Sequence, residues 1–140
     1  HQLIYGAGGL DSSIAVSLFN SNVFIPSDKK SFKWGQIISG ADFDSLVGIV
    51  ADPNENPNIK THEVHVKFYN SNGLILEKNW EIKNGTTKIF YANEELNSYS
   101  QSEKLPTYFW CTVESEHYGL NFFSTAFNKI TKHTSGDHGF

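Results

Sequence analysis

The feature that most constrains this chain is an alternation of apolar and polar residues with period two, which recurs along most of its length. "SIAVSLFN" sets Ile14, Val16 and Leu18 against Ala15, Ser17 and Phe19, and "HEVHVKFY" sets Val64, Val66 and Phe68 against Glu63, His65, Lys67 and Tyr69. Successive strand side chains point to opposite faces, so this pattern specifies strands with one buried face. "LILEKNWEIK" repeats it with Leu74, Leu76, Trp80 and Ile82 on one side. "SLVGIVA" and "YFWCTVE" are nearly continuous apolar runs that suit central strands, and "NFFSTAFNKIT" is the last long one.

Turn chemistry punctuates the alternation. Asn70 to Gly73 forms one short turn, and Asn84-Gly85, both tolerant of positive φ, predicts a hairpin in which "TTKIFYA" returns along the preceding strand. The one stretch with helical character, "NEELNSYSQSEK", offers only Leu96 and Tyr99 as apolar anchors, too few for a packed stripe, and is expected to be a loop with a turn of helix. With the segment from Phe32 to Ile38 these elements predict an all-β fold, an antiparallel two-sheet sandwich of about eight strands. Its core should include Ile14, Val16, Leu18, Val64, Val66, Phe68, Leu76, Trp80, Phe109, Cys111 and Val113. "YGAGG" has linker composition and "HTSGDHGF" has no period, so residues 1–11 and 132–140 read as flexible or partner-ordered tails on a single domain, 1–140.

Composition narrows the function classes. With 140 residues the chain buries an ordinary core without disulfides, and 39% hydrophobic against 19% charged residues fits a globular chain. No apolar run is long enough for a membrane-spanning helix. The net charge is −4, and the 11 basic residues are all Lys, so the bidentate contacts of nucleic-acid readers are missing and no nucleic-acid partner is expected. The single Cys111 shares a strand face with Phe109 and Val113 and reads as a core thiol. The chain has no Met and begins at His1, which fits a start removed by leader cleavage, proteolysis or expression design. An Asn- and Ser-rich, disulfide-free chain suits a secreted or surface protein of a bacterial cell, although cytoplasmic proteins share that composition.

The segment from Leu46 to Ile130 carries a strand "LVGIVADP", a strand-turn-strand "HEVHVKFYNSNGLILEKNWEI", a Thr-rich hairpin "NGTTKIFY" and the strand "YFWCTVESEHYGL". Together these resemble the bacterial β-sandwich domains of the sensory rhodopsin transducer family. The resemblance rests on alternation and turn placement, and it implies a homo-oligomeric sandwich acting as an interaction module. No functional residue of that family has a counterpart here.

Several residue groups are candidates for chemistry. In "ADPNENPNIKTHE", Asp52, Asn54, Asn56 and Glu63 fall at positions 1, 3, 5 and 12 of a calcium-loop spacing. Position 6, however, is Pro57 where such a loop needs Gly, and Glu63 begins a strand, so a rigid surface loop held by Asx bonds is expected. Asp52, Asn54 and Asn56 remain candidates for a looser calcium site. His1 offers an amino group and an imidazole to copper, and His133, Asp137 and His138 have donor types suited to zinc. His62 and His65 lie on opposite faces of one strand and cannot chelate one ion together. No cofactor is expected.

If Phe109, Cys111 and Val113 face inward, Tyr108, Trp110, Thr112 and Glu114 face the other way. Flat rings beside hydrogen-bonding groups suit a sugar, so Tyr108, Trp110 and Glu114, with Trp34, form a candidate carbohydrate surface; the same row also suits a subunit contact. Glu114 and Glu116, two residues apart on one strand, have a spacing of about 7 Å that glycoside hydrolysis uses. No Ser-His-Asp order and no phosphate loop accompanies them. The leading expectation is a non-enzymatic module that assembles with copies of itself, and the alternative is a carbohydrate-binding module.

Overall fold

The computed structural model describes residues 2–7, 10–15, 30–99 and 105–139, with side chains for 30–96, 98, 99 and 105–136. Ten strands and one short helix follow in order: β1 (Gln2–Ala7), β2 (Leu10–Ala15), β3 (Ser31–Ser39), β4 (Phe43–Ala51), β5 (Thr61–Asn70), β6 (Gly73–Lys83), β7 (Thr87–Tyr91), α1 (Ala92–Leu96), β8 (Thr107–Ser115), β9 (Leu120–Asn128) and β10 (Thr134–His138). Eight of them build two four-stranded sheets, one ordered β10-β9-β4-β7 and the other β3-β8-β5-β6, while β1 and β2 pair with each other. Every pairing is antiparallel. The all-β two-sheet sandwich predicted by the alternation is the fold.

The core fills the space between the sheets. From β5 and β8 come Val64, Val66, Phe68, Phe109, Cys111 and Val113, all within 2% of full burial, and from β4 and β9 come Val47, Ile49 and Phe122. Burying one such side chain contributes about 1.5–3 kcal/mol, so this shared face fixes the register of both sheets. The thiol of Cys111 is held neutral because burial raises its pKa. Leu76 and Trp80 pack against this cluster from the edge strand β6. Ile14 belongs to β2, whose side chains are outside the described residues, as are Val16 and Leu18.

One close approach sets the sheet separation near β3. A Cβ on Gly35 would stand 2.5 Å from Cε1 of Phe122, so the Phe122 ring from the opposite sheet lies directly against the β3 backbone. At the other end of β3, Asn93 ties the β3–β4 turn to α1. Its Oδ1 accepts from Ser39 Oγ at 2.7 Å and Gly40 N at 3.0 Å, and its Nδ2 donates to the carbonyls of Gly40 and Phe43. Its own N–H donates to Asp44 Oδ1 at 2.9 Å. Burial raises the Asp44 pKa even though the N–H groups of Asn93 and Ser45 favour its charged form. Lys78 points from β6 toward the sandwich opening and pairs with Glu95 of α1, an inward charge that blunts this sheet edge.

Two expectations are corrected. Asn84-Gly85 does turn, with Gly85 at φ 79 and Thr86 N–H donating to the Lys83 carbonyl at 3.0 Å. The chain does not return along β6, however: β7 crosses to the other sheet and pairs with β4. Gly85 N–H donates to the Ala51 carbonyl and Ala51 N–H to the Thr86 carbonyl, drawing the turn onto the end of β4. Leu74 is 49% exposed, because a bulge between Phe68 and Tyr69 shifts the register and leaves Ile75 to pack on the core. Within the terminal segments, Gln2–Ala7 pairs with Leu10–Ala15, and Thr134–His138 pairs with β9. Edge pairing is made by backbone groups and needs no alternation of side chains.

Candidate binding face

The outward face of the β3-β8-β5-β6 sheet carries the aromatic row. Because Phe109, Cys111 and Val113 fill the core, the parity of β8 turns Tyr108, Trp110, Thr112 and Glu114 outward. The β3–β8 register then brings Ile38 opposite Tyr108, Gln36 opposite Trp110, Trp34 opposite Thr112 and Phe32 opposite Glu114. On the other flank, Tyr69, Lys67 and His65 of β5 stand opposite Trp110, Thr112 and Glu114. All four residues singled out in the sequence, Trp34, Tyr108, Trp110 and Glu114, are on this one face.

Its centre is a pair of indoles. Trp34 and Trp110 meet diagonally across β3 and β8 with ring centroids 5.3 Å apart and planes inclined at 57°. They remain 38% and 45% exposed, and Phe32 and Tyr108 beside them are 56% and 58% exposed. The rings therefore offer faces to solvent while bracing each other, a contact worth about 0.5–1.5 kcal/mol beyond area burial. Next to them Lys67 Nζ donates to Glu114 Oε1 at 3.0 Å, which raises the Lys67 pKa and orients the carboxylate beside the rings. Phe32, Gln36, Lys67 and Tyr69 were not singled out from sequence. The alternation of β5 already turned Lys67 and Tyr69 outward, but only the strand order β3-β8-β5 puts these residues next to Trp110.

Beyond Glu114 the face runs into an open groove of about 710 Å³, lined by Phe32, Glu63, His65, Asn79, Glu81 and Glu114 among others. Glu63 and Glu81 are direct cross-strand partners on β5 and β6. Glu116 does not continue the β8 row, because the strand ends at Ser115, and it pairs with Lys30 at 2.6 Å. Glu114 is bonded to Lys67, and Glu114 and Glu116 both line the groove.

The metal candidates fall elsewhere. Asp52 Oδ1 accepts from Asn54 N–H at 2.8 Å and from Asn54 Nδ2 at 3.0 Å, an Asx turn. Asn56 Nδ2 donates to the Tyr118 carbonyl at 2.9 Å, while its own carbonyl accepts from Asn84 Nδ2. Asp52 Oδ1 and the side-chain amides of Asn54 and Asn56 are thus engaged in holding the loop. Its neighbour Glu55 accepts from Asn121 at 3.3 Å, and burial raises its pKa. His133 is exposed before β10; His1 and the side chains of Asp137 and His138 are outside the described residues. Among the described residues no three His, Cys, Asp or Glu side chains gather as a metal site.

Of the two histidines on opposite faces of β5, His62 is the inward one. His62 is 0% exposed, opens the inward row of β5, and neither ring nitrogen has a hydrogen-bond partner among the described residues. Its ring meets that of His117 edge to face, centroids 6.5 Å apart. Burial, followed by the charge of His117, lowers its pKa, so His62 is held as the neutral imidazole. The parity that buries Val64 and Val66 equally buries His62, which was the available signal.

Comparison with protein-family models, with curated proteins and with solved structures finds no match to this chain, so the resemblance to sensory rhodopsin transducers stands on the quoted residues alone.

Proposed function

We propose that this protein is a non-enzymatic binding module whose ligand is a carbohydrate held on the outward face of the β3-β8-β5-β6 sheet. The observation that carries the reading is the exposed Trp34–Trp110 pair, centroids 5.3 Å apart, flanked by outward polar side chains. Sugar C–H faces stack on indole while hydroxyls bond neighbours such as Gln36, Thr112, Lys67 and Glu114. Stacking on two rings contributes on the order of a few kcal/mol, which with the flanking hydrogen bonds supports binding in the millimolar range, about 4 kcal/mol net. A glycan array spanning neutral, acidic and amine-bearing oligosaccharides tests this. Binding to one class, lost in Trp110→Ala, supports it; silence across the array overturns it.

A second reading, self-association, is favoured by a different surface. β7 is an edge strand, and its Ile89 and Tyr91 are 57% and 41% exposed, with Tyr91 edge to face with Phe127 of β9 at 6.4 Å. An apolar edge of this kind is a template for pairing with a second copy. Light scattering over a concentration series, with Ile89→Lys as control, decides it: a monomer at every concentration removes this reading.

A further inference from the structure

We propose that the ligand of the aromatic face is an oligosaccharide bearing protonated amines, of the glucosamine-polymer class, whose chain runs from the Trp34–Trp110 pair into the carboxylate-lined groove. The inference rests on the carbohydrate reading and adds the charge of the ligand to it.

The aromatic face and the groove form one continuous surface whose charge complements an amine. Phe32 and Glu114 are cross-strand partners, and both line the groove, so the face and the groove share residues. From Trp110 to Glu114 is four residues along β8, about 13 Å at the usual strand rise. A ligand of a few sugar units seated on the indoles therefore reaches the groove. Four carboxylates line it: Glu63, Glu81, Glu114 and Glu116. Two are matched, Glu114 by Lys67 at 3.0 Å and Glu116 by Lys30 at 2.6 Å. Glu63 and Glu81 make no ion pair among the described residues. They face each other directly across β5 and β6, an arrangement in which like charges repel. A neutral sugar does nothing to relieve this, and an acidic one worsens it. An ammonium beside Glu63 and Glu81 neutralises the repulsion and donates charge-assisted hydrogen bonds to both. The chain's net charge of −4 favours the same sign of ligand.

Titration calorimetry of the full chain with glucosamine hexamer, N-acetylglucosamine hexamer, glucose hexamer and hexalysine, at mildly acidic pH and low salt, tests the proposal. The expected result is that glucosamine hexamer binds at least about tenfold tighter than the two neutral hexamers and weakens as salt screens the charges. The Glu63→Gln, Glu81→Gln double variant, exposed and isosteric, should bring the three within about threefold of each other. Trp110→Ala should abolish binding of all three. Neutral hexamers that bind as well as the amine form overturn the inference and leave the carbohydrate reading standing. No binding of any hexamer removes both. Hexalysine that binds as tightly as glucosamine hexamer, and does so equally in Trp110→Ala, reduces the groove to a general acidic patch and overturns the inference.

Discussion

The ring of Phe122 occupies the space where Gly35 would carry a Cβ, 2.5 Å from that position. Gly35 lies between Trp34 and Gln36, so the contact that sets the distance between the sheets also seats the outward row of β3. Gly35→Ala should lower stability by about 1–3 kcal/mol, the usual cost of overpacking, because an aromatic ring wedged between sheets has little room to retreat. Urea denaturation checks it, and an unchanged midpoint would contradict the geometry.

Asn93 is a second point where a single residue holds several backbone groups, bonding to Ser39, Gly40 and Phe43 and donating its N–H to Asp44. Asn93→Ala removes the side-chain bonds and leaves part-buried donors and acceptors unmet. A loss of about 2 kcal/mol is expected, with β7 and α1 showing faster amide hydrogen exchange than β5.

Acidification should destabilise the fold through His62. Its pKa in the folded protein is lowered, chiefly by burial, whereas an unfolded imidazole titrates near 6.5. Between that value and the lower folded one the unfolded chain binds the extra proton, so stability is full above about pH 6.5 and falls as pH drops through this window. The raised pKa values of Asp44 and Glu55 act in the opposite sense at lower pH, since there the folded state holds the extra proton. His62→Phe should keep stability near that of the parent at about pH 8 and flatten the loss on acidification. A pH dependence that persists unchanged in the variant would show that another group governs it.

For the loop of Asp52 to Asn56, melting temperature should be insensitive to calcium, because Asp52 and Asn56 are bonded within the loop and to Tyr118. Even a site with a 1 mM dissociation constant would add about 1.4 kcal/mol at roughly 10 mM calcium. A rise of several degrees with calcium and not magnesium, absent in Asp52→Ala, would contradict this.

What sequence could reveal here divides along a physical line. Alternation identified Val64, Val66, Phe68, Phe109, Cys111 and Val113 as inward and Tyr108, Trp110 and Glu114 as outward, because strand parity is local. Partner choice is not local: the Asn84-Gly85 turn is read correctly as a turn, yet only the hydrogen bonds to Ala51 send β7 to the opposite sheet. The same limit hid Phe32, Lys67 and Tyr69, which join Trp110 through strand order alone. Leu74 was misplaced by a bulge, and β10 was missed because an edge strand is held by its backbone.

The account's central claim is that a sugar sits on Trp34 and Trp110, and the chain's three tryptophans allow a direct test. Trp80 packs on the core with its ring 5.2 Å from Phe90 and also lines the groove, so its indole reports a ligand that continues from the tryptophan pair into the groove. In nitrogen–proton correlation spectra of labelled protein titrated with amine-bearing and neutral hexasaccharides, the indole signals of Trp34 and Trp110 should shift together and saturate, and that of Trp80 should follow only where the sugar chain enters the groove. Indoles of Trp34 and Trp110 that remain fixed with every hexasaccharide would contradict the account.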